Sequence, residues 1–476
     1  MRPIARSLAL AVSCLLPGAC ASATAGRPAQ PADAVVRSTV SLLPDSAIAA
    51  ILRQRVESGK TPGIVVGVLD AAGTRFVSHG TGLPGATEVD SATLFEIGSI
   101  TKTFTSAILA DMVVRGEVAL DDPVAKYLPA GTRVPASGDR QITLVDLATH
   151  FSGLPRLPSN LSPRDIANPY VDYTADKLYA FLAAHELRRA PGDRFEYSNL
   201  GAGLLGHALT LRAGTDYETL VRTRVLGPLG MTDTRITLTP ADSARLAAGH
   251  NAGGQVMPVW DLASLQGAGA LRSTAGDMLR YLTANIAADV DSASKRPLAA
   301  ALRLAHEPRR EVGAGADAGL AWIRATITGG AKMFFHDGGT GGHRSYAAFD
   351  PVRRVAVIVL SASAADVTDI GRHLLDDAYP VVRERVAVTL PETSLEGLVG
   401  EYALTPEFHI TITREGSQMY LQATGQPRFP LYAESEDSFF LRVVEAQVAF
   451  TRGPDGRATT LTLHQGGAST PAPRVR

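Results

Sequence analysis

The chain has 476 residues, of which 45% are hydrophobic and 20% charged, and its net charge is −1. This is globular composition with ample length for a large core, and it excludes a disordered or collagen-like chain. The balanced charge argues against a nucleic-acid binder, which carries a basic excess.

Length alone suggests about three domains of roughly 150 residues. The two cysteines, Cys14 and Cys20, both lie in the first twenty residues. Beyond them no disulfide, thiol nucleophile or Cys-ligated zinc can form. Lysine is scarce: six of the 46 basic residues.

Arg2 and Arg6 begin the chain, and Ser7 to Leu16 is almost wholly apolar. Pro17 and Gly18 break that run, and Ala19, Ala21 and Ala23 follow at alternate positions. A basic start, a short apolar run and an A-x-A site predict a secretory signal peptide over residues 1–23, cleaved after Ala21 or Ala23. The run is too short to span a bilayer. The alternative is a lipoprotein anchored through Cys20, although Pro17 stands where a lipobox carries an aliphatic residue. Both readings export the protein to the periplasm. Residues 24–40, rich in Ala, Pro and Thr, read as a tether.

In the body, Asp45 is placed to cap a helix running to about Gly59. Strands are expected at Ile64–Leu69 and Thr74–His79. A helix is expected from near Ser99 to Arg115, because Ile100, Phe104, Ile108 and Met112 recur every four residues. Thr143 and Asp146 form a capping box. From Gly319 the period becomes two, with strands over Gly319–Ile327, Lys332–His336, His343–Asp350 and Val355–Ser361. This predicts an antiparallel sheet with helices on its faces, one of them from about Val367 to Arg383. Pro391–Gly400 reads as a linker. Six short β-branched or aromatic runs then predict a small all-β domain over residues 391–476, a barrel or sandwich.

Three clusters carry chemistry. In Ser99-Ile100-Thr101-Lys102 the serine and lysine share one helix face, so a desolvated amine can take the hydroxyl proton. The helix start favours a developing oxyanion. In Tyr197-Ser198-Asn199 the phenol is a second proton carrier, its pKa expected to fall beside an ammonium. The Asn199 amide can meet a substrate carbonyl. In His336-Asp337-Gly338-Gly339-Thr340-Gly341-Gly342 the glycines let a substrate lie against a strand edge, and backbone N–H groups there can face an oxyanion. Each cluster alone is more often structural: a capping Ser with a surface Lys, a loop Tyr, a glycine-rich turn.

Together, in this order and at this separation, the three resemble the motifs of the serine penicillin-recognising enzymes. The closest resemblance is to class C β-lactamases, D-alanyl-D-alanine carboxypeptidases and related esterases. Supporting phrases are Thr149-His150-Phe151-Ser152-Gly153-Leu154-Pro155, Tyr197-Ser198-Asn199-Leu200-Gly201, Pro228-Leu229-Gly230-Met231-Thr232-Asp233-Thr234 and Gly267-Ala268-Gly269-Ala270-Leu271-Arg272-Ser273-Thr274-Ala275-Gly276-Asp277. The resemblance covers about residues 41 to 385, within a hydrolase domain set at 41–390. Residues 391–476 resemble the lipocalin-like accessory domain often fused to this family.

The resemblance implies an α+β fold, an antiparallel sheet flanked by helices beside an all-helical lobe, with the site between them. It implies Ser99 as the acylated nucleophile and Lys102 and Tyr197 as the proton carriers. Asn199, His336, Gly338 and Gly339 would bind substrate, with the N–H groups of Ser99 and Gly339 as oxyanion hole. No metal or cofactor is implied, and the partner is a small molecule: a β-lactam, a D-Ala peptide or an ester. His336-Asp337-Gly338 stands where class C β-lactamases carry Lys-Thr-Gly, so a substrate carboxylate loses its lysine. An esterase and a non-hydrolysing penicillin-binding sensor are the competing readings. The absence of Gly-x-Ser-x-Gly and of His-Glu-x-x-His argues against a nucleophile-elbow esterase and a metallo-hydrolase.

Overall fold

The computed structural model describes residues 36–82, 87–313 and 315–476. The expected signal peptide, and the tether up to residue 35, lie outside the described residues. Residues 36–40 are not a tether: Val36 is buried in the main core and the Ser38 hydroxyl donates to the Arg353 carbonyl at 2.8 Å.

An eight-stranded antiparallel sheet forms the centre of the larger, N-terminal domain. Its order is Gly73–Gly80, Gly63–Asp70, Val355–Ser361, Arg344–Asp350, Lys332–Gly339, Ile323–Thr326, Ala316–Ala318 and Arg310–Gly313. Alternate residues of each strand face opposite sides. Val65, Ala347, Phe349 and Leu360 enter the larger core, packed by Thr101–Val114 and Ala275–Val290. Val66, Tyr346 and Val359 enter a second core, under the helices Asp45–Glu57 and Thr368–Leu375. The larger core continues through a helical region that includes Ala175–Ala184 and Asn199–Ala213.

The strands expected at Ile64–Leu69, Thr74–His79, His343–Asp350 and Val355–Ser361 fall within one residue of their ends. The one expected at Gly319–Ile327 shortens to Ile323–Thr326, and the one expected at Lys332–His336 runs on to Gly339. Thr143 and Asp146 form the reciprocal cap expected of them. Asp45 does not cap: it is the first helical residue, and its carboxylate pairs with Arg75 instead. The helix expected to reach Arg383 stops at Leu375. Pro380 forces the chain before it away from helix, and Asp376 accepts the Thr328 N–H at 2.9 Å. No helix among the described residues is long and apolar enough to cross a membrane.

The C-terminal domain is an eight-stranded up-and-down meander from Gly400–Ala403 to Ala468–Pro473. Its last strand returns to the first: the Val475 N–H donates to the Glu401 carbonyl at 2.8 Å, nearly closing a barrel. Tyr402, Phe439 and Phe450 fill the interior. Leu395 and Leu398 also enter this core, so most of the expected linker Pro391–Gly400 is a helical plug belonging to the barrel. The connection between domains is 376–390, which Val388 ties to the barrel by its N–H to the Ala433 carbonyl, 2.8 Å. The junction is polar: Arg385 pairs with Glu434, while Glu384 meets Arg55 and Lys60.

Candidate active site

Ser99 lies in a single 3-10 turn, Gly98–Ile100, that leads into the Thr101–Val114 helix. Lys102 follows one turn later with only 2% of its surface exposed. Its Nζ lies 2.9 Å from Ser99 Oγ, 2.9 Å from Asn199 Oδ1 and 2.7 Å from the Ala268 carbonyl oxygen. Burial holds the Lys102 pKa well below its ordinary value, and the nearby Arg156 guanidinium adds to this. Asp337 pulls the other way without reversing it.

Tyr197 and Asn199 come from the other side of the cleft, at the start of the Asn199–Ala213 helix. Ser198 is its cap: the hydroxyl accepts the Gly201 N–H at 2.8 Å and donates to the Pro155 carbonyl at 2.7 Å. This fixes the Tyr197 and Asn199 side chains towards Lys102. The Lys102 Nζ lies 4.9 Å from the centre of the Tyr197 ring, and the Tyr197 hydroxyl bonds to Ser99.

The tyrosinate expected beside an ammonium is corrected here. Burial pushes the Tyr197 phenol up, outweighing its bond to Ser99 and the pull of Arg156. The same burial lowers the Lys102 pKa, and so weakens the charge that was to lower that of Tyr197.

The third wall is the end of strand Lys332–Gly339. Backbone meets backbone there: Gly98 takes a left-handed φ of 48°, and a Cβ on it would lie 2.6 Å from Gly339 N. A Cβ on Gly338 would lie 2.1 Å from the Ile97 carbonyl oxygen. The glycines thus let the Ser99 turn sit directly on the strand, with Ser99 and Gly339 lining the same cleft. His336 is buried behind them, its Nδ1 2.6 Å from the Asp337 carbonyl oxygen, and burial lowers its pKa to about 4. It is a neutral imidazole at pH 7.

Three further residues escaped sequence reasoning. His150 packs against Tyr197, its Nδ1 accepting the Ser198 N–H at 3.1 Å, and burial holds its pKa well below normal. Arg156 places its guanidinium 5.0 Å from the Tyr197 ring centre. Glu96 is buried and gathers the cleft's supports: it accepts from the Trp260 N–H at 2.7 Å, the Thr340 hydroxyl at 2.7 Å and His343 Nδ1 at 3.1 Å. His150 stands within a quoted phrase and Arg156 directly after it. Glu96 carries no sequence signal. Tyr170, Trp260 and Leu262 complete the lining.

Comparison with known proteins follows the same division. Residues 48–378 match the family model described as β-lactamase, and residues 384–474 match one described as a domain of unknown function, DUF3471. The likeness of the C-terminal domain to lipocalins therefore rests on resemblance alone. The chain is 32% identical over 315 residues to the D-alanyl-D-alanine-carboxypeptidase/endopeptidase AmpH of Escherichia coli K12, covering 64% of this chain and 80% of that protein. It is 26% identical over 416 residues to penicillin-binding protein 4* of Bacillus subtilis, covering 80% of this chain and 88% of that protein. The crystal structure of the β-lactamase/D-alanine carboxypeptidase of Yersinia pestis complexed with citrate superposes with a TM-score of 0.57 at 28% identity, over 67% of this chain and 94% of that one. The chain belongs to the β-lactamase family, whose relatives here are serine β-lactamases and D-alanyl-D-alanine carboxypeptidases.

Proposed function

We propose that the protein is a hydrolase that acts through an acyl-serine at Ser99 on β-lactam amides or D-Ala-containing peptides. The observation that carries this is the surroundings of Lys102. A neutral amine has two N–H bonds and one lone pair. The Ala268 carbonyl and Asn199 Oδ1 accept the two N–H bonds, which leaves the lone pair for Ser99 Oγ. Depression of the Lys102 pKa by burial favours that neutral amine.

The steps follow. Ser99 Oγ attacks the scissile carbonyl as its proton passes to Lys102 Nζ. The N–H groups of Ser99 and Gly339 stabilise the resulting oxyanion. Tyr197, protonated and bonded to Ser99, relays a proton from Lys102 to the leaving nitrogen as the C–N bond breaks. Asn199, its Oδ1 turned to Lys102, has its NH₂ for the substrate's amide carbonyl. Water then attacks the acyl-enzyme, and its proton returns through the same pair. Export under the leader of residues 1–23 belongs to the same reading, and an intact mass beginning at residue 22 or 24, or a lipidated Cys20, separates its two forms.

Action on small esters is the second reading, favoured by the neutral His336, which brings no charge to a substrate carboxylate. Turnover of a chromogenic cephalosporin, a D-Ala-D-Ala peptide and a p-nitrophenyl ester by one preparation ranks these. Ser99→Ala removes turnover and labelling by a fluorescent penicillin. Retained turnover overturns the nucleophile assignment, and labelling without turnover leaves a sensor.

A further inference from the structure

The cleft has lost one cation and gained another. The position where class C β-lactamases carry a lysine holds His336, buried and neutral. The same burial disfavours the charged form of Lys102. Arg156 is different in kind. It is exposed, with its guanidinium 5.0 Å from the centre of the Tyr197 ring.

Its position is built rather than accidental. The Arg156 carbonyl accepts the Asn199 N–H at 3.0 Å and the Leu200 N–H at 3.3 Å. The residue is therefore clamped to the turn that carries Tyr197 and Asn199. The segment around it alternates: Gly153, Pro155, Leu157 and Ser159 line a separate groove on its far side, whereas Arg156 turns to the Tyr197 ring. Its charge is felt by Lys102, Tyr197, Tyr170 and His150, all in or behind the cleft. Yet among the described residues its guanidinium has no carboxylate partner and no hydrogen bond. A fork of five N–H donors without an internal acceptor matches the geometry of a planar anion.

We propose that Arg156 is a specificity-determining residue that binds a carboxylate on the acyl side of the substrate, beside the amide held by Asn199. The side follows from the clamp, because Arg156 and Asn199 share one wall. An acyl donor with an acidic side chain, as in an acidic peptide, is the class that fits. This rests on the acyl-serine reading. The rival cation is Arg344, whose guanidinium lies across Gly339 while its Nε donates to the Ala364 carbonyl at 2.9 Å. Asp337, exposed on the same strand, repels a carboxylate on that side.

The test uses three esters and the full chain. p-Nitrophenyl hydrogen adipate carries its carboxylate on the acyl side, its methyl ester carries none, and 4-acetoxybenzoate carries one on the leaving group. The quantity read is kcat/KM for each carboxylate ester relative to the neutral ester. Arg156→Gln is expected to lower that ratio for the adipate about tenfold or more, through KM, as loss of a charge-assisted pair does. Arg156→Lys restores part of it, and the ratio for 4-acetoxybenzoate stays within about twofold. An unchanged adipate ratio in Arg156→Gln, or a loss that appears in Arg344→Gln instead, overturns the proposal. A loss confined to 4-acetoxybenzoate overturns the assignment of side. Ester turnover or fluorescent-penicillin labelling that persists in Ser99→Ala overturns the acyl-serine reading itself, and that control tells its failure apart from the failure of the Arg156 proposal.

Discussion

The His150 imidazole lies 4.4 Å from the Tyr197 ring, centre to centre, at an interplanar angle of 33°. His150 adopts φ 62°, a left-handed backbone that turns its ring under the phenol. Its Nδ1 also receives the Ser198 N–H, so one side chain supports both the ring and the cap of the helix behind it. His150→Ala removes an aromatic contact and a buried acceptor, together about 2 kcal/mol. The expected result is that loss in urea unfolding, with kcat lowered about tenfold and KM little changed. Unchanged kinetics in a destabilised variant would show that Tyr197 holds its place without it.

Arg156 and Lys102 are linked by charge as well as by place. The guanidinium helps keep the Lys102 pKa down, so removing it lets that pKa rise. The base must be unprotonated to act, and the acid limb of kcat/KM follows its titration. Arg156→Gln is therefore expected to move that limb to higher pH for the neutral methyl ester, where no carboxylate is involved. A limb that stays in place, or moves down, refutes the electrostatic link.

His336 makes stability depend on pH with a definite sign. Its folded pKa, about 4, lies below the ordinary 6.5. Above pH 6.5 the ring is neutral in both states and contributes nothing. As pH falls below 6.5 the unfolded chain gains a proton that the folded chain refuses, so stability drains until about pH 4. At pH 4.5 the loss is about 2 kcal/mol. His336→Asn is expected to lose that much less than wild type between pH 7 and pH 4.5, measured by urea unfolding. Equal losses in the two proteins would mean that His336 takes up its proton in the fold.

How much of this was legible in the sequence divides along a physical line. Periodic burial is local, so Val65, Val66, Leu360 and Val359 announce their strands, and the stripe from Ile100 to Met112 announces its helix. Ser99, Lys102 and Asn199 stand in short phrases, so their meeting in the cleft was legible. Protonation was not legible. Whether Tyr197 is phenol or phenolate depends on its burial beside His150 and His336 set against the charge of Arg156, which no spacing reveals. Nor was Glu96 legible, since its partners Trp260, Thr340 and His343 come from segments far along the chain. The plug at Leu395 and Leu398 shows a third limit, because those residues belong to what the next domain buries.

Gly338 offers the sharpest test of the oxyanion wall. A methyl at its Cα would stand 2.1 Å from the Ile97 carbonyl oxygen and 2.3 Å from Ser345 Oγ. The Ile97 carbonyl cannot yield easily, because the Ser345 hydroxyl donates to it at 2.9 Å and the residue leads straight into the Ser99 turn. The strand must therefore move away from the turn, and the Ser99 and Gly339 N–H groups must separate. Overpacking of this kind costs about 1–3 kcal/mol. Loss of one oxyanion donor costs about a hundredfold in kcat. Gly338→Ala is expected to remain folded by circular dichroism and to show both losses, with Ser99 labelled by a fluorescent penicillin far more slowly than in wild type. A folded Gly338→Ala that is acylated at the wild-type rate would place the oxyanion donors elsewhere than on this strand.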